Sequence, residues 1–149
     1  MASFRHVLAA TDFSECSSIA LDAAIELARR YDAALTLVHV FTLPVYPYMD
    51  LVPMAIDIET PARDAAREEL DKALATTRKQ LPSADAVLRQ AGAVWEQILA
   101  TAREVGADLI VLGTHGRTGI SHALIGSVAE RVVRHSQIPV LTVCRPRSG

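Results

Sequence analysis

The chain is poor in the residues that mark several functional classes. Only two cysteines, Cys16 and Cys144, occur in 149 residues, far apart and without a CxxC pair or a Cys/His cluster. That argues against a thiolate metal site and a disulfide-stapled scaffold, and points to a reduced cytoplasmic protein. Aromatic residues are scarce, with one Trp, three Tyr and three Phe, too few for a row of stacking platforms for nucleobases. The net charge is −2 and the basic residues are scattered, so there is no electrostatic pull toward nucleic acid or an anionic membrane. No apolar run approaches bilayer length, which excludes membrane insertion by a helix. The opening Met1-Ala-Ser-Phe-Arg-His6 lacks the apolar centre of a signal peptide. What is present is globular: half the residues are hydrophobic and 21% charged. That composition and length suit a single domain, residues 1–149, with a real core.

Apolar runs and helical stripes alternate along that domain. Residues 6–10, 35–41, 86–90, 109–112 and 139–144 read as strands. The 86–90 run is the more polar, which predicts an edge position. Residues 19–30 carry Ile19, Ala23 and Leu27 at helical spacing, with Asp12 or Ser14 placed to cap. Residues 61–81 read as a helix with Pro61 near its first turn and Leu70 and Leu74 in its stripe. Val94, Ile98, Ala102 and Val105 form a third stripe, Trp95 beside them reads as a packing residue, and Gly106 is placed to end the helix. Residues 128–135 make the fourth helix, with Ser127-x-x-Glu130 fitting a capping box. Residues 42–60 contain Pro44, Pro47 and Pro53 and read as a long loop. The order β-α-β-α-β-α-β-α-β predicts an α/β fold, an open five-stranded parallel sheet with helices on both faces.

One loop stands out chemically. Gly113, Gly116, Gly119 and Gly126 lie between the fourth strand and the last helix. Glycine lets backbone amides approach a ligand closely, and a helix N-terminus adds free N–H groups, so the stretch suits a phosphate. The same glycines also suit a tight turn. Walker A requires a lysine after its last glycine, and none follows any glycine here. The dinucleotide fingerprint G-x-G-x-x-G belongs after the first strand, whereas this loop follows the fourth and is spaced Gly113-x-x-Gly116-x-x-Gly119. A P-loop NTPase is excluded and a dinucleotide dehydrogenase disfavoured. Ligands of open parallel sheets sit beyond the C-terminal strand ends where strand order reverses. If the first and fourth strands are neighbours, Ala10-Thr11-Asp12 and the glycine loop face one crevice. Asp12 there suits hydrogen bonds from a ribose or base edge, a metal, or the helix cap.

Gly113-x2-Gly116-x9-Gly126-Ser127 resembles the motif G-x2-G-x9-G-[ST] of the universal stress protein family. The likeness spans nearly the whole chain, including Thr11-Asp12-Phe13-Ser14, Val38-His39-Val40 and the closing Pro139-Val-Leu-Thr-Val143. The resemblance implies a Rossmann-like sheet of order 3-2-1-4-5 that binds ATP, or AMP or another adenine nucleotide, with Mg²⁺ accompanying ATP. It implies that Ala10, Thr11 and Asp12 contact the ribose or adenine side and that Val40 offers backbone groups to the adenine. Leu112 precedes the motif. The amides of Gly113, His115, Gly116, Gly126, Ser127 and Val128 are implied to hold ribose and phosphates, with the Ser127 hydroxyl on a phosphate. A homodimer through the last strand, from Val140 to Cys144, is implied as well.

Other residues weigh less. His115 contributes its backbone, with its side chain expected free. His39, His115 and His122 match no metal-ligand spacing. Arg117 suits a terminal phosphate or solvent. No base, lysine or acidic pair accompanies the loop, so hydrolysis is expected to be slow or absent. The leading expectation is a nucleotide-dependent switch or interaction module acting on an unnamed protein partner. A slow ATPase or nucleotidyl-transfer enzyme, and a nucleotide-free interaction protein, are the alternatives.

Overall fold

The computed structural model describes residues 3–43, 56–90, 92–115 and 125–143. Within them the chain forms β1 (His6–Ala10), α1 (Glu15–Tyr31), β2 (Ala34–Phe41), α2 (Glu59–Arg78), β3 (Asp85–Gln90), α3 (Val94–Val105), β4 (Leu109–Gly113), α4 (Ser127–His135) and β5 (Val140–Val143). The sheet order is β3-β2-β1-β4-β5, and each neighbouring pair is parallel. The direction of winding therefore reverses between β1 and β4. β3 lies at one edge, where its polar sequence placed it. β5 lies at the other.

Strand alternation sorts side chains to two faces. Val7 and Ala9 of β1, Leu35 and Leu37 of β2 and Leu109 and Val111 of β4 meet Ala24, Ile25 and Ala28 of α1 and Leu70 of α2. Leu8, Val38, Val40, Ile110 and Leu112 point the other way, against Ile98, Leu99 and Ala102 of α3 and Ala129 and Val132 of α4. Leu8, Leu37 and Ile110 are fully buried. Burial on both faces is why these strands read as continuous apolar runs.

Helix ends follow local chemistry, sometimes against the sequence expectation. Ser14 caps α1, accepting from the Ser17 amide at 3.2 Å, so the helix begins at Glu15, before the expected residue 19. Gly106 ends α3 in the left-handed conformation, φ 69°, as its position predicts. α2 begins at Glu59 rather than Pro61, because the Asp57 carboxylate accepts from the amides of both Glu59 and Thr60 at 3.1 Å. It ends at Arg78, short of the expected residue 81, while Leu81 still packs on the core. The capping box is not formed. Gly126 is the N-cap of α4, extended at φ −60° and ψ 155°, without a side-chain cap, and Ser127 is the first helical residue. Glu130 pairs with Arg134 instead. Most of the 42–60 loop, with Pro44, Pro47 and Pro53, lies outside the described residues.

At the N-terminal end of the β1–β4 seam, Asp108 acts as a clasp. Its carboxylate accepts from the Arg5 amide at 2.9 Å and the His6 amide at 3.0 Å. Burial pushes this carboxyl up, but the His6 and Arg5 amides outweigh burial and hold it below its ordinary value. No helix among the described residues is long and apolar enough to cross a membrane.

Candidate functional site

The reversal between β1 and β4 opens a cleft of about 220 Å³ at the C-terminal ends of the strands, where ligands of open parallel sheets bind. Ten of the twelve sequence-predicted residues line it: Ala10, Thr11, Asp12, Val40, Leu112, Gly113, His115, Gly126, Ser127 and Val128. Gly116 and Arg117 lie outside the described residues. Sequence reasoning missed Ser17, Val38, Val94, Ile98, Thr114 and Ala129. Val94 and Ile98 were visible as a helical stripe, but nothing local signalled that their outer end walls a cleft.

One side of the cleft is the β1–α1 turn. The Thr11 amide donates to the Val38 carbonyl at 2.9 Å, and His39 Nδ1 lies 2.8 Å from the Thr11 carbonyl. The Thr11 hydroxyl accepts from the Phe13 amide at 3.1 Å and lies 3.2 Å from the Ser17 hydroxyl. Ser17 Oγ donates to the Ser14 carbonyl at 2.9 Å. Its proton is thereby used, so the Thr11 hydroxyl donates to Ser17. Asp12 Oδ1 accepts from the amide and hydroxyl of Ser14. Asp12 therefore supports the helix start from behind while Ser14 is the cap.

The facing side is the start of α4. The first intrahelical bond there runs from the Glu130 amide to the Gly126 carbonyl at 3.0 Å. The amides of Ser127, Val128 and Ala129 precede it and so have no acceptor within the helix. All three residues line the cleft, at the positive end of the helix dipole. Ser127 is exposed, and its side chain is not engaged as a cap.

The motif glycines Gly113 and Gly126 also have structural work that their spacing does not announce. A Cβ at Gly113 would stand 2.9 Å from Cys16 Sγ and 3.1 Å from the Cys16 carbonyl carbon. The space that Gly113 clears is thus filled by the first turn of α1. Cys16 is a free thiol, and its Sγ donates to the Val143 carbonyl at 3.4 Å. A Cβ at Gly126 would meet the Thr114 carbonyl oxygen at 2.9 Å, and the Gly126 amide donates to that oxygen at 2.6 Å. The Gly126 amide, expected to hold the ligand, is already engaged in latching the two ends of the glycine loop together. The His115 side chain is not free either: Nδ1 is 2.9 Å from Thr114 Oγ1, and Nε2 is buried without a hydrogen-bond partner among the described residues.

Among the described residues the histidines do not converge as metal ligands. His39 Nδ1 is turned to Thr11, and His122 lies outside the described residues. Among the described residues no group of three or more His, Cys, Asp or Glu side chains is placed to hold a metal ion. The arrangement is an apolar wall from Val38, Val40, Val94, Ile98 and Leu112, ending in backbone donors and a hydroxyl.

Known proteins share this architecture and sequence. Universal stress protein MJ0531 of Methanocaldococcus jannaschii is 32% identical over 147 residues, covering 97% of this chain and 84% of that protein. A solved universal stress protein from Burkholderia pseudomallei is 30% identical with a TM-score of 0.70, covering 95% of this chain and 97% of that one. The universal stress protein from Archaeoglobus fulgidus in complex with dAMP is 26% identical with a TM-score of 0.66, covering 96% and 99%. The model of the Universal stress protein family matches residues 3–143. With its sheet order and its sequence in agreement, this chain belongs to the universal stress protein family.

Proposed function

We propose that the cleft binds an adenine nucleotide, ATP first among them, and that the chain serves as a nucleotide-dependent switch or interaction module for a protein partner. The observation that carries this reading is the trio of α4 amides without intrahelical acceptors, facing a cleft whose other wall is apolar. Anionic phosphate suits the amides and dipole end, and a flat base suits the valine, isoleucine and leucine wall. Nε2 of His115, buried and without a hydrogen-bond partner among the described residues, adds a polar atom beside the same cleft. Ser127, Val128 and Ala129 would hold phosphate, and Val38, Val40 and Ile98 the base. Asp12 would accept from ribose or base. The dAMP complex of the Archaeoglobus fulgidus relative supports the nucleoside class. AMP and cyclic nucleotides share that class and compete in the same assay.

Mg²⁺ would arrive with ATP, held chiefly by phosphate oxygens and water, since such ions keep much of their hydration. The protein is a binding module in this reading, and ATP stays intact through hours of single-turnover incubation. Titration calorimetry of nucleotide-stripped protein with ATP·Mg²⁺ is the direct test. No heat and no thermal shift at millimolar ATP would sink the proposal.

We also propose a homodimer through β5. That strand is a sheet edge with Leu141 38% exposed, beside α4, where Val133 is 48% exposed. An uncovered edge with apolar side chains invites pairing. Cys144 lies outside the described residues. Light scattering is expected to give the mass of two chains, and a monomer mass across micromolar concentrations refutes the pairing.

A further inference from the structure

The geometry points to His39 as a positioning residue for the cleft, one that acts on a bound nucleotide through the Thr11 carbonyl without touching it. This rests on the adenine-nucleotide reading above. Alternation along β2 sends Val38 and Val40 toward the cleft and His39 to the opposite face. There His39 lines a second cavity of about 340 Å³ with Phe13, Phe41 and Ala66. The residue is only 9% exposed.

Its ring makes a specific bond. Nδ1 lies 2.8 Å from the Thr11 carbonyl oxygen. A carbonyl only accepts, so Nδ1 carries the proton. β2 therefore grips both backbone polar groups of Thr11: Val38 takes its N–H and His39 holds its C=O. Asp12 comes next and is shared by the two cavities, lining both. Phe13 follows in the left-handed region at φ 64°, its ring 4.3 Å from the imidazole. A bulky residue holds that conformation only when its surroundings over-determine it. The His39 bond is one of the restraints that do so. Without it the turn relaxes, and Thr11 and Asp12 leave the positions that wall the cleft.

The operative feature is a donor at the Nδ1 position. Asparagine places an amide N–H near that point, glutamine carries its amide one bond further out, and leucine has no donor. We would titrate wild type, H39N, H39Q and H39L with ATP by calorimetry, and measure each Tm without nucleotide. H39N is expected within about threefold of wild type. H39Q and H39L are expected to bind about tenfold more weakly, the factor that one buried hydrogen bond represents. If H39L fails to fold, the pair H39N and H39Q carries the comparison, because both are polar and close in size. H39Q binding as tightly as H39N, with wild type binding ATP, overturns the positioning role and leaves the cleft reading standing. Wild type binding no adenine nucleotide overturns the cleft reading itself. The brace is then judged alone by amide hydrogen exchange at Phe13 and Ser14: faster exchange in H39Q than in H39N is expected, and equal rates overturn it.

Discussion

The two ends of the β1–β4 seam treat backbone donors in opposite ways. At the N-terminal end the chain supplies its own anion. The Asp108 carboxylate gathers the amides of Arg5 and His6, and the Asp108 amide returns a bond to the His6 carbonyl at 2.9 Å. At the C-terminal end the amides of Ser127, Val128 and Ala129 converge with no carboxylate among the described residues capping the helix. Asp12, across the cleft, is turned toward Ser14. Both ends concentrate positive partial charge, since peptide N–H groups do so wherever they converge. One end is closed from within as a structural clasp. The other lies beside a cleft, and that difference separates a stabilising feature from the one to which the proposed nucleotide is assigned.

Substitutions should separate the two ends, and the largest effect is expected at the receptive one. Gly126→Val drives a side chain against the Thr114 carbonyl, which has no room for it. The loop base opens, and ATP affinity measured by calorimetry is expected to fall by more than about 100-fold. At the clasp, Asp108→Ala leaves two amides without their acceptor and is expected to cost about 2 kcal/mol of stability in urea unfolding at neutral pH. Nucleotide affinity stays within experimental scatter. The carboxyl is held below its ordinary 3.8 in the folded state, so its electrostatic contribution is present above that value and disappears as pH falls through the lower folded value. The stability gap between wild type and Asp108→Ala should narrow there, and a gap independent of pH would count against the clasp.

The smallest effects distinguish two serines. Ser14→Ala removes the α1 cap and is expected to cost about 1 kcal/mol. Ser127→Ala removes no cap bond and should leave Tm unchanged while weakening ATP binding about fivefold, as expected for loss of one exposed hydrogen bond. A Tm loss at Ser127 equal to that at Ser14 would show that the cleft serine is structural after all.

Much of this was legible in the sequence because burial leaves a pattern. β1 reads as His6–Ala10 since its apolar run stops at Thr11-Asp12. The polar β3 reads as an edge, and Gly106 marks the end of α3. Local rules failed where a distant group decided the outcome. Ser127-x-x-Glu130 has the letters of a capping box, yet the close approach of Thr114 requires glycine at 126, and that glycine takes the cap position. The start of α2 departs from the sequence pattern because Asp57, not the neighbourhood of Pro61, organises the first turn. Nothing in the motif spacing says that Gly113, which lines the cleft, also leaves room for Cys16, almost a hundred residues away. The spacing pointed to a cleft and most of its lining. It did not say which glycines serve a ligand and which serve another part of the chain.

The chain's one tryptophan, Trp95, stacks on His135 with ring centroids 4.7 Å apart and planes 25° apart. The pair joins the first turn of α3 to the last turn of α4, and the residue before it, Val94, lines the cleft. An imidazole against an indole alters its emission, and a small change in their overlap alters it further. The molecule thus carries a built-in optical gauge of the spacing between the two helices that border the cleft. A nucleotide seated beside Val94 is expected to shift that emission, and a titration followed by the protein's own fluorescence, without a label, checks it.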